Sequence, residues 1–332
     1  LIFNEVCRVE VSDGYPTLAS EAEAKILNKL PRFEQGSTFD AGSGYERLLI
    51  RDYVDDTDLP EKTKEFINSS VALEYRYEDF DQEVAVVDGE RRDVSVANEK
   101  TANVFWDLGN YMVFRGSQAD ASRAKSQANT GGGDELRIQS ISFEADFLLW
   151  LFDQAHGQDG ELNQNLAISR LTDAEIEGSN DEFGGEATIN QSDDLKQSEA
   201  ILLGLLKGKN FSMLEGDFTL FPGEEDSATL RTEIQQEKVR IKASKAGLRN
   251  ALQVEKMALA THITTKIAEL YNDWEDLPDE EKHVSPEFMV ELIETCHNRD
   301  IDLNRQPIAV LRRQAEKRGE SLEDYNFELD FN

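Results

Sequence analysis

The chain has 332 residues, with 67 Asp and Glu against 35 Lys and Arg, a formal charge of -32, and 39% apolar residues. Two cysteines, Cys7 and Cys296, are too few for a secreted disulfide framework, and they favour a reducing compartment. No apolar run approaches the ~20 residues that span a bilayer, which excludes an integral helical membrane protein.

The first residues read as a mixed α+β region. Residues 6–11 alternate as a strand, and 20–30 carry helical spacing through Ala24, Ile26 and Leu30, with Ser20 as the expected N-cap. A helix is expected after Asp58-Leu59-Pro60, with Asp58 capping and Pro60 in the first turn. From Val71 the period becomes two, with Leu73, Tyr75 and Tyr77 on one face. Residues 83–87 and 93–96 flank Asp88-Gly89, a hairpin turn signal, and 104–106 and 111–114 continue the meander. Ser117 caps a helix to about Asn129 that stops at Gly131-Gly132-Gly133. A strand over 136–140 and a strongly apolar core helix over 144–156 follow.

The polar stretch 157–165 is the expected domain boundary. Beyond it lie strands at 172–177 and 186–190, a helix over 194–207 stopped at Gly208, strands at 211–221, 229–235 and 238–243, and a long helix over 245–273. That helix carries a stripe of Leu248, Leu252, Leu259, Ile263, Ile267 and Leu270. Two more helices are expected over 286–298 and 307–318, and an edge strand or frayed tail over 326–332. The expected fold class is α+β, mostly antiparallel meander sheets with helices packed on one face and a helical C-terminal region. The expected domains are 1–160, 166–245 and 246–332.

Chemical signatures are sparse. Leu277-Pro278-Asp279-Glu280-Glu281-Lys282 has the residue types of a PD-(D/E)xK nuclease, but its acids adjoin at a helix start, where they complement the helix dipole. The four histidines form no HxxxH or HExxH, and Cys296-His297 point in different directions on one helix. No GxSxG, GxxxxGK[ST] or GxGxxG occurs, and no catalytic residue, metal ligand or cofactor is expected.

One local exception to the negative charge is an alternating strand in which Lys238, Arg240 and Lys242 share a face, continued by Lys245 and Arg249 at the expected start of the long helix. Such a row suits nucleic-acid phosphates or an acidic protein surface; the plainer reading is that it neutralises intramolecular acids such as Glu233 and Glu237. A weaker basic group, Arg312, Arg313, Lys317 and Arg318, sits on the last helix, where it matches the helix dipole. The connection 299–305 is longer than a helix-turn-helix turn.

The acids are dispersed rather than gathered in a tail or a DNA-mimicking face, as suits solvation in brine. At ~1 M salt the Debye length falls to about 3 Å and carboxylate repulsion is screened. The expectation is a soluble, cytoplasmic, halophile-type interaction protein, with an unidentified protein as partner. A divalent-metal enzyme built from dispersed acids and acting on nucleic acid, or a nucleic-acid binder using the basic strand, are the alternatives. Three or more carboxylates converging in a concave pocket would favour the enzyme. The chain begins at Leu1 rather than Met, which leaves room for an upstream segment.

Overall fold

A computed structural model of the chain describes residues 1–37, 40–157, 160–181, 184–190, 195–242, 248–301, 303 and 306–325. The fold is α+β, and the strand pairs described below are antiparallel. Contacts divide it into two compact units. The first comprises Leu1–Ile141, Glu237–Val239 and Ala251–Ala268; the second comprises Ser142–Gln236, Arg240–Asn250 and Glu269–Asn332.

The first unit contains β1 (Ile2–Val11), α1 (Ala19–Lys29), β2 (Ser43–Arg47), α2 (Arg51–Val54), α3 (Glu61–Ser69), β3 (Val71–Val87), β4 (Glu90–Trp106), β5 (Tyr111–Arg115), α4 (Gln118–Gly132) and β6 (Leu136–Ser140). Its strands run β2-β3-β4-β5-β1, with β6 also on β1. Alternation puts Leu73, Tyr75 and Tyr77 of β3, Val104 and Trp106 of β4, and Met112 and Phe114 of β5 into one core with Ile26 of α1. Ala121, Ala124 and Ala128 form the buried stripe of α4, so short side chains bring the helix backbone close to the sheet, and the Tyr45 hydroxyl donates to the Ala124 carbonyl. Ser117 and Asp120 close a capping box at the start of α4.

Three local expectations are corrected. Ser20 lies inside α1, whose N-cap position is Leu18 and has no side-chain cap. Pro60, rather than Asp58, occupies the N-cap of α3; the Asp58 N–H donates to Glu255 at 3.3 Å. The segments flanking Asp88-Gly89 are the ends of two 17-residue strands, in register from Val71 opposite Trp106 to Val87 opposite Glu90. Asp88 and Gly89 have φ of 54° and 84°, as a two-residue turn with both central residues left-handed requires.

The second unit contains α5 (Ala145–Gly157), β7 (Glu161–Asn163), β8 (Leu166–Asp181), β9 (Gly184–Ile189), α6 (Glu199–Leu206), β10 (Asn210–Leu220) and β11 (Ala228–Gln235), and the chain then enters β12 (Lys238–Ile241). Its strands run β11-β10-β8-β7, with β9 on β8. The long helix α7 (Gln253–Glu275) counts with the first unit through Ala268 and with the second from Glu269. The single-turn α8 (Asp279–Lys282), α9 (Pro286–His297) and α10 (Gln306–Lys317) complete the second unit. Ser285 caps α9, accepting from the Phe288 N–H.

α7 begins eight residues later than expected. Its first turn is fixed by Glu255, whose carboxylate accepts the Leu252 N–H at 2.6 Å. Leu248 is buried in the preceding turn and Leu252 is 60% exposed, so the buried stripe of the helix is Leu259, Ile263, Ile267 and Leu270. The expected helix start at Asp194 and the tail 326–332 lie outside the described residues.

Buried titratable groups in the first unit have readable consequences. His262 of α7 is buried, stacked on Phe66 with ring centroids 4.2 Å apart, and 3.1 Å from the Thr63 hydroxyl. Burial, aided by the Lys266 ammonium, depresses its pKa from 6.5 to about 3. The folded state therefore refuses a proton that the unfolded chain accepts, and stability contributed by neutral His262 is lost as pH falls from about 6.5 towards 3. Between pH 7 and pH 5 the wild type should lose about 2 kcal/mol more than His262→Gln, measured by denaturant unfolding. Burial, with the Glu5 carboxylate beside it, pushes the Cys7 thiol up to about 12, and burial raises Cys296 as well. Neither thiol should react with iodoacetamide at about pH 8 in the native state, and both should react after unfolding.

Candidate functional site

Strand alternation places a charged layer on one face of the second unit's sheet. Three carboxylates lie side by side across neighbouring strands, because Glu215 of β10 is opposite both Asp173 of β8 and Glu233 of β11. All three are buried. Two residues further along β10, on the same face, Asp217 stands opposite Arg231 of β11. Buried anions in such proximity demand compensation, and cations on the same face supply it. The Arg231 guanidinium donates through Nε and Nη2 to the two Asp217 oxygens at 2.6 and 2.9 Å, a bidentate pair. Its Nη1 donates to the Thr172 hydroxyl and lies 3.8 Å from Glu215 and 4.0 Å from Asp173. Lys242 bonds Glu215 and lies 3.7 Å from Glu233, and Arg240 pairs with Glu233 at 3.2 Å.

Burial holds the Glu215 carboxyl above the usual carboxylate range; Lys242 pulls it down, while Asp173 and Glu233 push it up. This is the electrostatics of a compensated cluster. Cationic side chains occupy the space between the acids, and among the described residues no group of three or more His, Cys, Asp or Glu is placed to hold a metal ion.

The two basic groups expected from the sequence are placed as follows. Lys238, Arg240 and Lys242 alternate as anticipated: Lys238 is half-buried on β12, and Arg240 and Lys242 face Glu233 and Glu215. Lys245 lies outside the described residues, and Arg249 is exposed in the turn before α7, not on the helix. On α10, Lys317 grips both Asp146 oxygens of α5 at 2.6 Å. Arg318, beyond the helix end, donates to the Glu280 and His283 carbonyls and pairs with Glu320 at 2.8 Å. Arg313 is half-buried and Arg312 is exposed. Two members of this group therefore tie α10 to neighbouring segments of its own unit.

An open cavity of about 420 Å³ in the same unit is lined by Trp150, Asp153, Glu280, Glu281, His283, Ser285 and Arg318, among others. His283 Nδ1 lies 3.5 Å from Asp146, and burial holds its pKa below the ordinary value against the pull of that carboxylate. The local sequence placed these acids at a helix start, which α8 is; their convergence with α5 was not legible from spacing.

The third feature is the far half of the β3–β4 hairpin in the first unit. Past Glu78 the two strands leave the core and continue as a ribbon with solvent on both faces. Val84 and Val86 are 67% and 70% exposed. Its side chains form weak surface pairs, Lys100 with Asp79 at 2.8 Å and Arg92 with Glu90 at 3.0 Å.

The class these features define is an α+β protein with an internally neutralised charged sheet face and a projecting two-stranded ribbon. No protein-family model matches the chain, and no curated protein matches it in sequence.

Proposed function

We propose that this protein is a non-enzymatic interaction protein adapted to a salty cytoplasm, and that it meets its partner through the β3–β4 ribbon. The observation that carries the reading is the contrast between its charged features. Arg231, Arg240 and Lys242 are committed to buried carboxylates, so little positive potential is left on that sheet face for phosphates. The ribbon, by contrast, exposes aliphatic side chains on a frame of paired strands, as a protein-binding element does. The formal charge of -32 supports the high-salt setting, because self-repulsion on that scale is relieved by screening.

The test is affinity isolation from the native host at its own ionic strength. The full chain is compared with a variant whose ribbon is shortened by joining Asp79 to Asn98, a pair of the same bonding parity as Val87 and Glu90, through an Asn-Gly turn. The wild type should retain a protein set that nuclease treatment leaves unchanged and that the shortened variant loses. Retention that vanishes with nuclease would favour nucleic-acid binding instead.

The enzyme alternative has less support: Asp153, Glu280, Glu281 and His283 line the open cavity, but among the described residues no three such groups lie close enough to hold a metal ion. Calorimetric titration with Mn²⁺ decides it. Saturable binding lost in E280Q/E281Q would favour metal-assisted chemistry there, and an absence of saturable binding would remove it.

A further inference from the structure

We infer that the ribbon's partner is a second copy of this chain, joined edge to edge through β4 in one register. The inference rests on the reading of the ribbon as the contact element and adds the identity of what it contacts. The turn sets the geometry. Because Val87 and Glu90 close a two-residue turn, Glu90 exchanges its backbone bonds with β3, and so does every second residue after it. The groups of Arg91, Asp93, Ser95, Ala97 and Glu99 therefore point to the outer edge. The same parity holds at the other end of β4: the Asp107 N–H donates to the Tyr111 carbonyl, in step with Asn103 opposite Arg115 at the end of β5. β5 covers β4 only over Asn103–Trp106, and residues 90–101 are exposed or half-buried.

An antiparallel pairing of β4 with its own copy must set outward residues against outward residues, which leaves only registers that step by two. Charge then selects among them. Centring the two-fold axis on Ser95 sets Arg91 against Glu99 of the second copy, Glu90 against Lys100 and Val94 against Val96, each pair occurring twice by symmetry. No like charges meet. Moving the centre one residue further on, to Val96, sets Asp93 against Glu99 and Arg92 against Lys100, both repulsive. Moving it one residue back, to Val94, shortens the match and loses both attractive pairs. The β3 edge offers no comparable solution: centres at Asp81, Gln82 or Glu83 set acid against acid, and a centre at Val84, which avoids this, brings no opposite charges together and pairs a shorter stretch. The β4 edge alone carries a self-complementary charge pattern, while the acids of the β3 edge narrow its own pairing to a short register without attractive pairs.

Sedimentation of the full chain in brine tests this, with variants confined to the exposed ribbon. The wild type should be dimeric at tens of micromolar. Arg91→Glu should weaken the dimer by about tenfold or more, and Arg91→Glu with Glu99→Arg should restore it. Mixing V94C with V96C should give a disulfide-linked dimer that neither variant gives alone; Cys7 and Cys296 are buried and do not compete. A wild-type monomer at all these concentrations would overturn the inference, as would a dimer indifferent to Arg91→Glu that forms no mixed disulfide. Either result leaves the interaction reading standing if the shortened ribbon still loses host proteins in the affinity isolation. That reading fails separately if the shortened variant retains every partner.

Discussion

Arg231→Met should destabilise the protein by about 3–5 kcal/mol, measured by denaturant unfolding, because it removes one partner of a buried ionic cluster and leaves the others in place. The Arg231 side chain is 16% exposed, while Glu215 beside it is 3% exposed and Asp173 10%. Methionine preserves most of the apolar stem but supplies none of the hydrogen bonds to Asp217 and Thr172. Lys242 can still neutralise Glu215, but Asp217 loses both bonds of its bidentate partner. The loss should therefore be larger than for Arg240→Met, whose side chain is 37% exposed and bonds Glu233 alone. Adding Asp217→Asn to Arg231→Met should recover part of the loss, since a neutral amide no longer needs the guanidinium; the non-additivity is the signature of the cluster.

Phe147→Ala should cost a similar 3–5 kcal/mol for a different reason, the creation of a cavity. Phe147 is fully buried on α5, with ring centroids 5.9 Å from Phe143, 6.0 Å from Trp150, 5.0 Å from Tyr271 and 5.5 Å from Trp274. Four large rigid rings cannot collapse onto an alanine without leaving their own contacts, so little of the lost volume is recovered. The Tyr271 hydroxyl also donates to the Ser142 carbonyl at 2.9 Å, and the Trp274 indole donates to the Lys282 carbonyl at 2.9 Å, which pins both rings. Near-ultraviolet circular dichroism of the folded variant should weaken along with its stability.

Where local chemistry decides the structure, the sequence was a sufficient guide. Asp88-Gly89 announced a turn, and the alternation of Leu73, Tyr75 and Tyr77 announced the buried face of β3. Ser117 announced the start of α4, where Asp120 completes a capping box. The expectations failed where a helix start uses none of the usual cap residues or where a partner distant in sequence decides. The start of α7 rests on a backbone bond to Glu255, not on a Ser, Thr or Asp cap, so helical periodicity alone extended the helix back to 245. Asp58 looked like a cap, yet the chain places Pro60 there.

The candidate site follows the same division. Alternation of Lys238, Arg240 and Lys242 was legible, and Glu233 was foreseeable as a neighbour through the hairpin. The row formed by Asp173, Glu215 and Glu233 was not legible. It depends on the register of three strands, one of them 42 residues away from the next and carrying a bulge beside Thr172. In a chain with 67 acids, no local pattern marks those three. The length of the ribbon was equally hidden, because an exposed two-stranded arm alternates like any other strand and only the core reveals where its support ends.

The most direct test is residue-resolved hydrogen exchange in brine, comparing the isolated protein at low concentration with the protein in its native assembly. The outward amides of Arg91, Asp93, Ser95, Ala97 and Glu99 should slow on assembly, while those around Arg231, Arg240 and Lys242 keep their rates. Unchanged ribbon amides together with new protection along β12 would place the working surface on the basic strand and rule out the ribbon.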